Sequence, residues 1–320
     1  MPLKQQAILW IGSLMLALAC VTARAETLDI SNLAEFNSVP MGKFAEVLIE
    51  DQDPITLDTA RERYRDGRFA PSTRPVLNFG LGVRPFWVRI ALLNPSDSPK
   101  TIYATLGTTW IDHLDAYLVS DKGLVTSLHV GDALPGALGV WPGIGTGGVL
   151  TVPSGNSELY VRAETPDPML LPLALATVRN QATNERIAQY AYGTLYGFLL
   201  ALIFSNCMLF FGLHRRSQLY YALYLSCFIA MNACYTGHGF AFVWPERPDI
   251  QRFVIVAAIV MYAASGLWFA RSFLELAKHA PRLNRWVRGF ALAGVLAMAL
   301  CIALDNQQTA VLLAFTYLSS

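Results

Sequence analysis

The chain has 320 residues, of which 54% are hydrophobic and 15% charged, and its mean hydropathy is +0.38. A soluble domain carries about 25% charged residues, so the composition excludes a wholly soluble chain; it also excludes disorder, which needs low hydrophobicity and high net charge. With 24 basic and 23 acidic residues the net charge is +1, which leaves no electrostatic footprint for nucleic acid.

The excess apolar residues lie at the two ends. Lys4 precedes an apolar run from Ala7 to Cys20, followed by Ala23-Arg24-Ala25. A charged start, a short apolar run and an A-x-A site predict a secretory signal peptide over residues 1–25. An uncleaved anchor would export the next segment equally well. Of the five cysteines, Cys20 falls in this signal; Cys207, Cys227, Cys234 and Cys301 fall in the apolar C-terminal part. The exported domain therefore has no disulfide and depends on its own core.

Residues 26–182 alternate with a period of two between turn signals. Strands are predicted at 86–93, 101–106, 114–119, 124–130, 148–152, 159–163 and 171–177, with a helical turn or two over 56–65. Short strands punctuated by Gly, Pro, Asn and Asp argue for an all-β sandwich. Alternation sets Trp87 on the face opposite Val88 and Ile90. Trp110 and Trp141 fall in loops, where an indole can stack on a sugar ring or a ligand cation. Arg89 is a candidate partner for an anionic ligand. Gly143-Ile144-Gly145-Thr146-Gly147-Gly148 spells G-x-G-x-x-G but lacks the strand before and helix after it that a dinucleotide site needs; it reads as a loop. Asp112, His113 and Asp115 do not form an acid–base constellation, and no Cys/His spacing suits zinc. The chain is expected to be neither an enzyme nor a cofactor protein.

A polar linker, 183–189, leads to residues 190–320, an α-helical transmembrane domain. Apolar segments at 190–213, 219–240, 253–274 and 287–304 approach spanning length, and a fifth begins at 309. The connections around Arg215-Arg216 and from Arg271 to Arg288 are basic, while those at 244–249 and 305 are balanced or acidic. The positive-inside rule then places the start of the first segment outside, beside the exported domain. Asn206 and Asn232 lie inside spans as candidate interhelical hydrogen-bond partners, and Gly193 with Gly197 forms a G-x-x-x-G that would permit close helix approach or a homodimer. No Asp or Glu lies well inside a span, which argues against a proton pump.

Taken in order, several pieces resemble one family. They are Phe86-Trp87-Val88-Arg89, Leu93-Asn94-Pro95-Ser96-Asp97, Asp112-His113-Leu114-Asp115-Ala116-Tyr117-Leu118 and Gly131-Asp132. In the apolar half they are Tyr192-Gly193, Asn206, the run from Arg215 to Tyr224, Gly237-His238-Gly239 and Phe269-Ala270-Arg271-Ser272-Phe273-Leu274. This set resembles the bacterial seven-transmembrane receptors with diverse intracellular signalling modules, with the second type of their extracellular domain, from about residue 40 onward. The resemblance implies a jelly-roll-like periplasmic sandwich that binds a small ligand, carbohydrate foremost. It implies a bundle in the inner membrane and a cytoplasmic output module, a diguanylate cyclase or histidine kinase. Ser205 stands where the family usually has Tyr, and the glycine-rich stretch at 143–148 is atypical. Four spans and part of a fifth, with no output motif, suggest the sensor-side portion of a longer receptor. Two other classes fit the same layout: a transporter or envelope-assembly protein with a substrate-capture domain, and a tethered hydrolase.

Overall fold

The computed structural model describes residues 25–51, 53–134 and 146–319. Trp141, the first three residues of the glycine-rich stretch (143–145) and residues 1–24 of the expected signal peptide lie outside the described residues; Thr146 and Gly147, expected in a loop, belong to a strand.

The N-terminal part is strand-rich. In chain order its strands are β1 (Leu28–Asp29), β2 (Val39–Pro40), β3 (Ala45–Ile49), β4 (Ala70–Pro71), β5 (Leu77–Gly80), β6 (Phe86–Asn94) and β7 (Lys100–Gly107). They continue with β8 (His113–Ser120), β9 (Gly123–Val130), β10 (Thr146–Val152), β11 (Gly155–Glu164), β12 (Met169–Leu171) and β13 (Ala174–Thr177). One sheet runs β4-β3-β6-β11-β8-β9, with β1 parallel to β6; a second runs β10-β7-β13-β2; β12 and β5 form a two-stranded ribbon. All other pairings are antiparallel.

Alternation builds the layers. Phe86, Val88, Ile90 and Leu92 of β6 meet Ile102, Ala104 and Leu106 of β7 and Leu159 and Val161 of β11 in one buried core. The opposite face of β6 carries Trp87, which packs with Tyr160, Val119 and Leu48 under a short helix, α1 (Leu57–Arg65). Thr56 starts α1: its side chain accepts a hydrogen bond from the Thr59 amide. The indole N–H of Trp87 donates to Glu50 at 2.8 Å, so its burial leaves no orphan donor.

Two expectations change in detail. The single strand expected at 171–177 divides, because Pro172 has no amide for a ladder; β12 joins the ribbon and β13 the second sheet. The N-terminal strands, several only two residues long, carry too little periodicity to be read in advance.

Strand β13 passes into helix α2 (Val178–Leu213) with no intervening loop. Thr177 ends the strand and caps the helix, accepting from the Asn180 amide at 3.1 Å. Asn180 and Asn184 donate to the carbonyls of Phe36 and Asn37. Tyr103, on the outer face of β7, is 1% exposed, and burial pushes its phenol pKa up. Thirty-six residues of α-helix extend about 54 Å, well beyond a bilayer core of about 30 Å, so the first turns of α2 can stand clear of lipid.

The helical part continues with α3 (Arg216–Tyr235), α4 (His238–Phe242), α5 (Pro248–Phe273), α6 (Leu276–His279), α7 (Pro281–Ala303) and α8 (Gln307–Leu318). Among the described residues, α2, α5 and α7 are long and apolar enough to cross a membrane. Helix α3 has 20 residues, but its tyrosines and asparagine dilute its hydropathy. Helix α3 packs between α2 and α5, and α5 also meets α7 and α8. Tyr224 and Tyr262 join α3 to α5 through their hydroxyls at 2.6 Å. Gly294 of α7 lies against the Tyr317 ring of α8; a Cβ there would overlap it.

Candidate signal-coupling site

Three connections of the sandwich converge on the helix ends: the β7–β8 turn at 108–112, the segment after β9 at 131–134, and the β11–β12 turn at 165–168. The Asp132 amide donates to the Ile111 carbonyl at 3.0 Å and the Ala133 amide to the Asp112 carbonyl at 3.3 Å, which ties the first two together. Gly131 makes this possible. Its φ is +147°, and a side chain there would collide with the Asp112 carbonyl oxygen.

One half of the junction is aromatic. The Trp110 indole stacks on Tyr235 at the end of α3, with centroids 4.9 Å apart and planes at 28°. Its N–H donates to the Pro168 carbonyl at 2.9 Å. Thr109 donates from its hydroxyl to the Tyr235 carbonyl at 2.9 Å. Beside this stack lies a cavity of about 320 Å³, lined by Trp110, Tyr235, Tyr192 and Glu185 with threonine side chains around them. Aromatic faces with a few polar groups at the margin suit a small organic ring.

The other half is acidic. Gln251, in the first turn of α5, donates to Asp132 at 3.5 Å, and Gln307, first residue of α8, donates to Asp167 at 3.2 Å. Asp112 accepts from the Thr165 hydroxyl at 2.7 Å. The amide oxygens are used as well: Trp244 donates to Gln251 at 3.1 Å and Arg252 to Gln307 at 2.8 Å. Arg252 also pairs with Asp305 at 2.9 Å. A cavity of about 230 Å³ is bounded by Asp112, Asp132, Asp249, Arg252 and Gln307.

Burial raises all three sandwich carboxylates. For Asp132, burial and then the charges of Asp112 and Asp167 push the pKa to about 8. For Asp167, burial and then Asp112 push it to about 7. Asp112 rises mainly through burial. Neutral amides cannot offset three negative charges in a shared low-dielectric space, so the docked junction favours protons on these groups. Among the described residues, no group of three or more His, Cys, Asp or Glu side chains has the arrangement of a metal site.

The residues singled out from the sequence fall in separate places. Trp110 is at the junction. Asn232 lies near it on α3 and accepts from the Tyr196 hydroxyl of α2 at 2.8 Å. Arg89 is on the α1-covered face of the first sheet, held by Glu46 at 2.6 Å and Glu158 at 2.9 Å, with its guanidinium 3.7 Å from the Tyr64 ring centre. Gly193 and Gly197 are exposed on α2, and nothing else in the chain lies within 4 Å of where a Cβ would stand. Asn206 is near the far end of α2, donating to the Leu202 carbonyl at 2.8 Å. The residues that sequence reasoning did not single out as a site are Asp132, Asp167, Gln251 and Gln307. Gln251 and Gln307 carry one signal, a polar side chain in the first turn of an otherwise apolar helix; Asp132 entered only as part of Gly131-Asp132, and Asp167 carried none.

A family model described as 7TMR-DISM extracellular 2 matches residues 42–177, and one described as 7TM diverse intracellular signalling matches residues 188–320. The unmatched residues between them form the lower turns of α2. A search of curated proteins finds no match to the chain.

Proposed function

The chain belongs to the seven-transmembrane receptors with diverse intracellular signalling modules, and from that premise we propose how this receptor couples its two parts. The sandwich stands in the periplasm of a bacterial inner membrane, and its ligand is a small molecule with a ring to stack, a carbohydrate foremost. The ligand enters the cavity beside Trp110 and Tyr235 and changes how the sandwich rests on α3, α5 and α8. A ligand shifts the arrangement only as far as it binds one state better than the other, and a site shared by both parts meets that condition. The basic connections face the cytoplasm, where an output module or partner receives the change. A second copy of the chain can pack along the Gly193 and Gly197 face of α2.

The observation that carries this reading is the continuous passage of β13 into α2, backed by hydrogen bonds from the same end of the sandwich to two further helices. A displaced sandwich must move the helix it is capped to. The test is a panel of mono- and oligosaccharides titrated against the purified chain in nanodiscs, read by tryptophan fluorescence. A saturable signal that Trp110→Ala weakens by about 5-fold or more supports the site, since stacked aromatic contacts are worth ~1 kcal/mol. Saturable binding that Trp110→Ala leaves unchanged places the ligand elsewhere.

A further inference from the structure

At the end of the bundle remote from the sandwich, α2, α3 and α5 enclose a pocket of about 720 Å³ that the coupling mechanism does not use. Its mouth carries Arg215 and Arg216, and among the described residues neither makes an ion pair or a side-chain hydrogen bond. Arg215 is the N-cap of α3, and no side chain caps the amides of that helix's first turn. His214, at φ +52°, turns the chain sharply enough to bring this helix start beside the end of α2. The Gln218 amide turns back to the Arg215 carbonyl at 3.1 Å; the Arg216 and Ser217 amides with two guanidinium groups make a site for a phosphate-type anion. The one carboxylate at the rim, Glu275, is paired with Lys278 at 2.8 Å and feels the Arg215 charge only through space.

The deep end carries a second, independent observation. Asn206 is 9% exposed and lines the pocket. Its amide nitrogen donates to the Leu202 carbonyl, and its amide oxygen has no hydrogen-bond partner among the described residues. That oxygen opens to the pocket and is free to accept from whatever fills it. The phosphate of a diester carries no hydrogen to donate; a hydroxyl elsewhere on the molecule does. The Ser272 hydroxyl stands on the same lining.

We propose that this pocket binds a phosphodiester that also carries a free hydroxyl, with the phosphate at Arg215, Arg216 and the start of α3, and the hydroxyl donating to Asn206 Oδ1. Two sources share this chemistry: a glycerol-phosphate lipid headgroup of the adjoining leaflet, and a soluble glycerophosphodiester. The lipid places its chains along Phe273, which is 67% exposed beside the pocket. Occupancy links the α2–α3 turn to α5 and so stabilises one arrangement of the three helices.

The experiment uses the whole chain in nanodiscs of equal parts phosphatidylcholine and either phosphatidylglycerol or phosphatidylmethanol, which has the same charge and no hydroxyl. Retained lipid is counted by native mass spectrometry. Retention in the order glycerol over methanol over choline headgroup is expected. Arg215→Gln with Arg216→Gln should lower phosphatidylglycerol retention by roughly 30-fold, at about 5-fold for each arginine near a membrane surface. Asn206→Leu should abolish the preference for glycerol over methanol and keep that over choline, an outcome misfolding would not give. Displacement by added glycerophosphoglycerol identifies the soluble source; its failure to compete identifies the lipid. Equal retention of all three lipids, or full retention by the double arginine variant, would overturn the proposal.

Discussion

Arg89, a candidate ligand contact that lines a cavity of about 700 Å³, is at the same time held by the architecture of the sheet. Its partner Glu46 is 3% exposed and lies 2.6 Å away. Removing one member of such a pair strands a buried charge and costs about 3–5 kcal/mol. Arg89→Ala should therefore lower the sandwich's unfolding free energy by that order in urea melts. Arg89→Met combined with Glu46→Leu should recover most of it. Trp87 makes a matching case on the same face: Trp87→Ala opens a cavity and takes the donor from Glu50, for a loss of about 3–5 kcal/mol. The sequence made the face of Trp87 readable, because alternation assigns faces directly. It could not reveal the Glu46 and Glu158 pairs, which lie 43 and 69 residues from Arg89.

At the scale of elements, the strand-to-helix join and the glutamine-bearing helix starts are the working parts. Thr177→Ala removes the cap of α2 and should cost about 1 kcal/mol locally. The check is faster amide exchange in the first turn of α2, with the sandwich core unchanged. The acidic half of the junction gives a pH dependence whose sign follows from the raised carboxylates. Docked Asp132 and Asp167 hold protons more tightly than the same groups in water, so docking is strongest below the ordinary Asp value near 4. It weakens as pH rises through about 7 for Asp167 and about 8 for Asp132, and levels off above that. Arg252 tempers the loss but is shared with Asp305 and Gln307. Amide exchange at Gln251 and Gln307 should accelerate across this window. Asp132→Asn should remove the upper part of the effect, leaving that of Asp167. These helices were legible as apolar runs, and their ends approximately so. The Asp132–Gln251 and Asp167–Gln307 contacts were not, because they join residues 119 and 140 positions apart.

For the whole molecule, the division into a strand-rich extracellular part and a helical membrane part followed from composition, alternation and loop charge. Those signals are local or cumulative along the chain. How the two parts rest on each other depends on three turns and the starts of two helices meeting in space, for which local patterning carries no code. The central claim is that the sandwich and the bundle dock through this junction and that its state sets their relative placement. The most direct measurement is a distance distribution between spin labels at exposed Val125 on the sandwich and exposed Glu246 before α5, taken on the chain in nanodiscs. At about pH 5 the distribution should be narrow. At about pH 9 it should broaden or shift, and Asp132→Asn with Asp167→Asn should stay narrow at both. A distribution in the native chain that does not change between the two pH values would contradict the account.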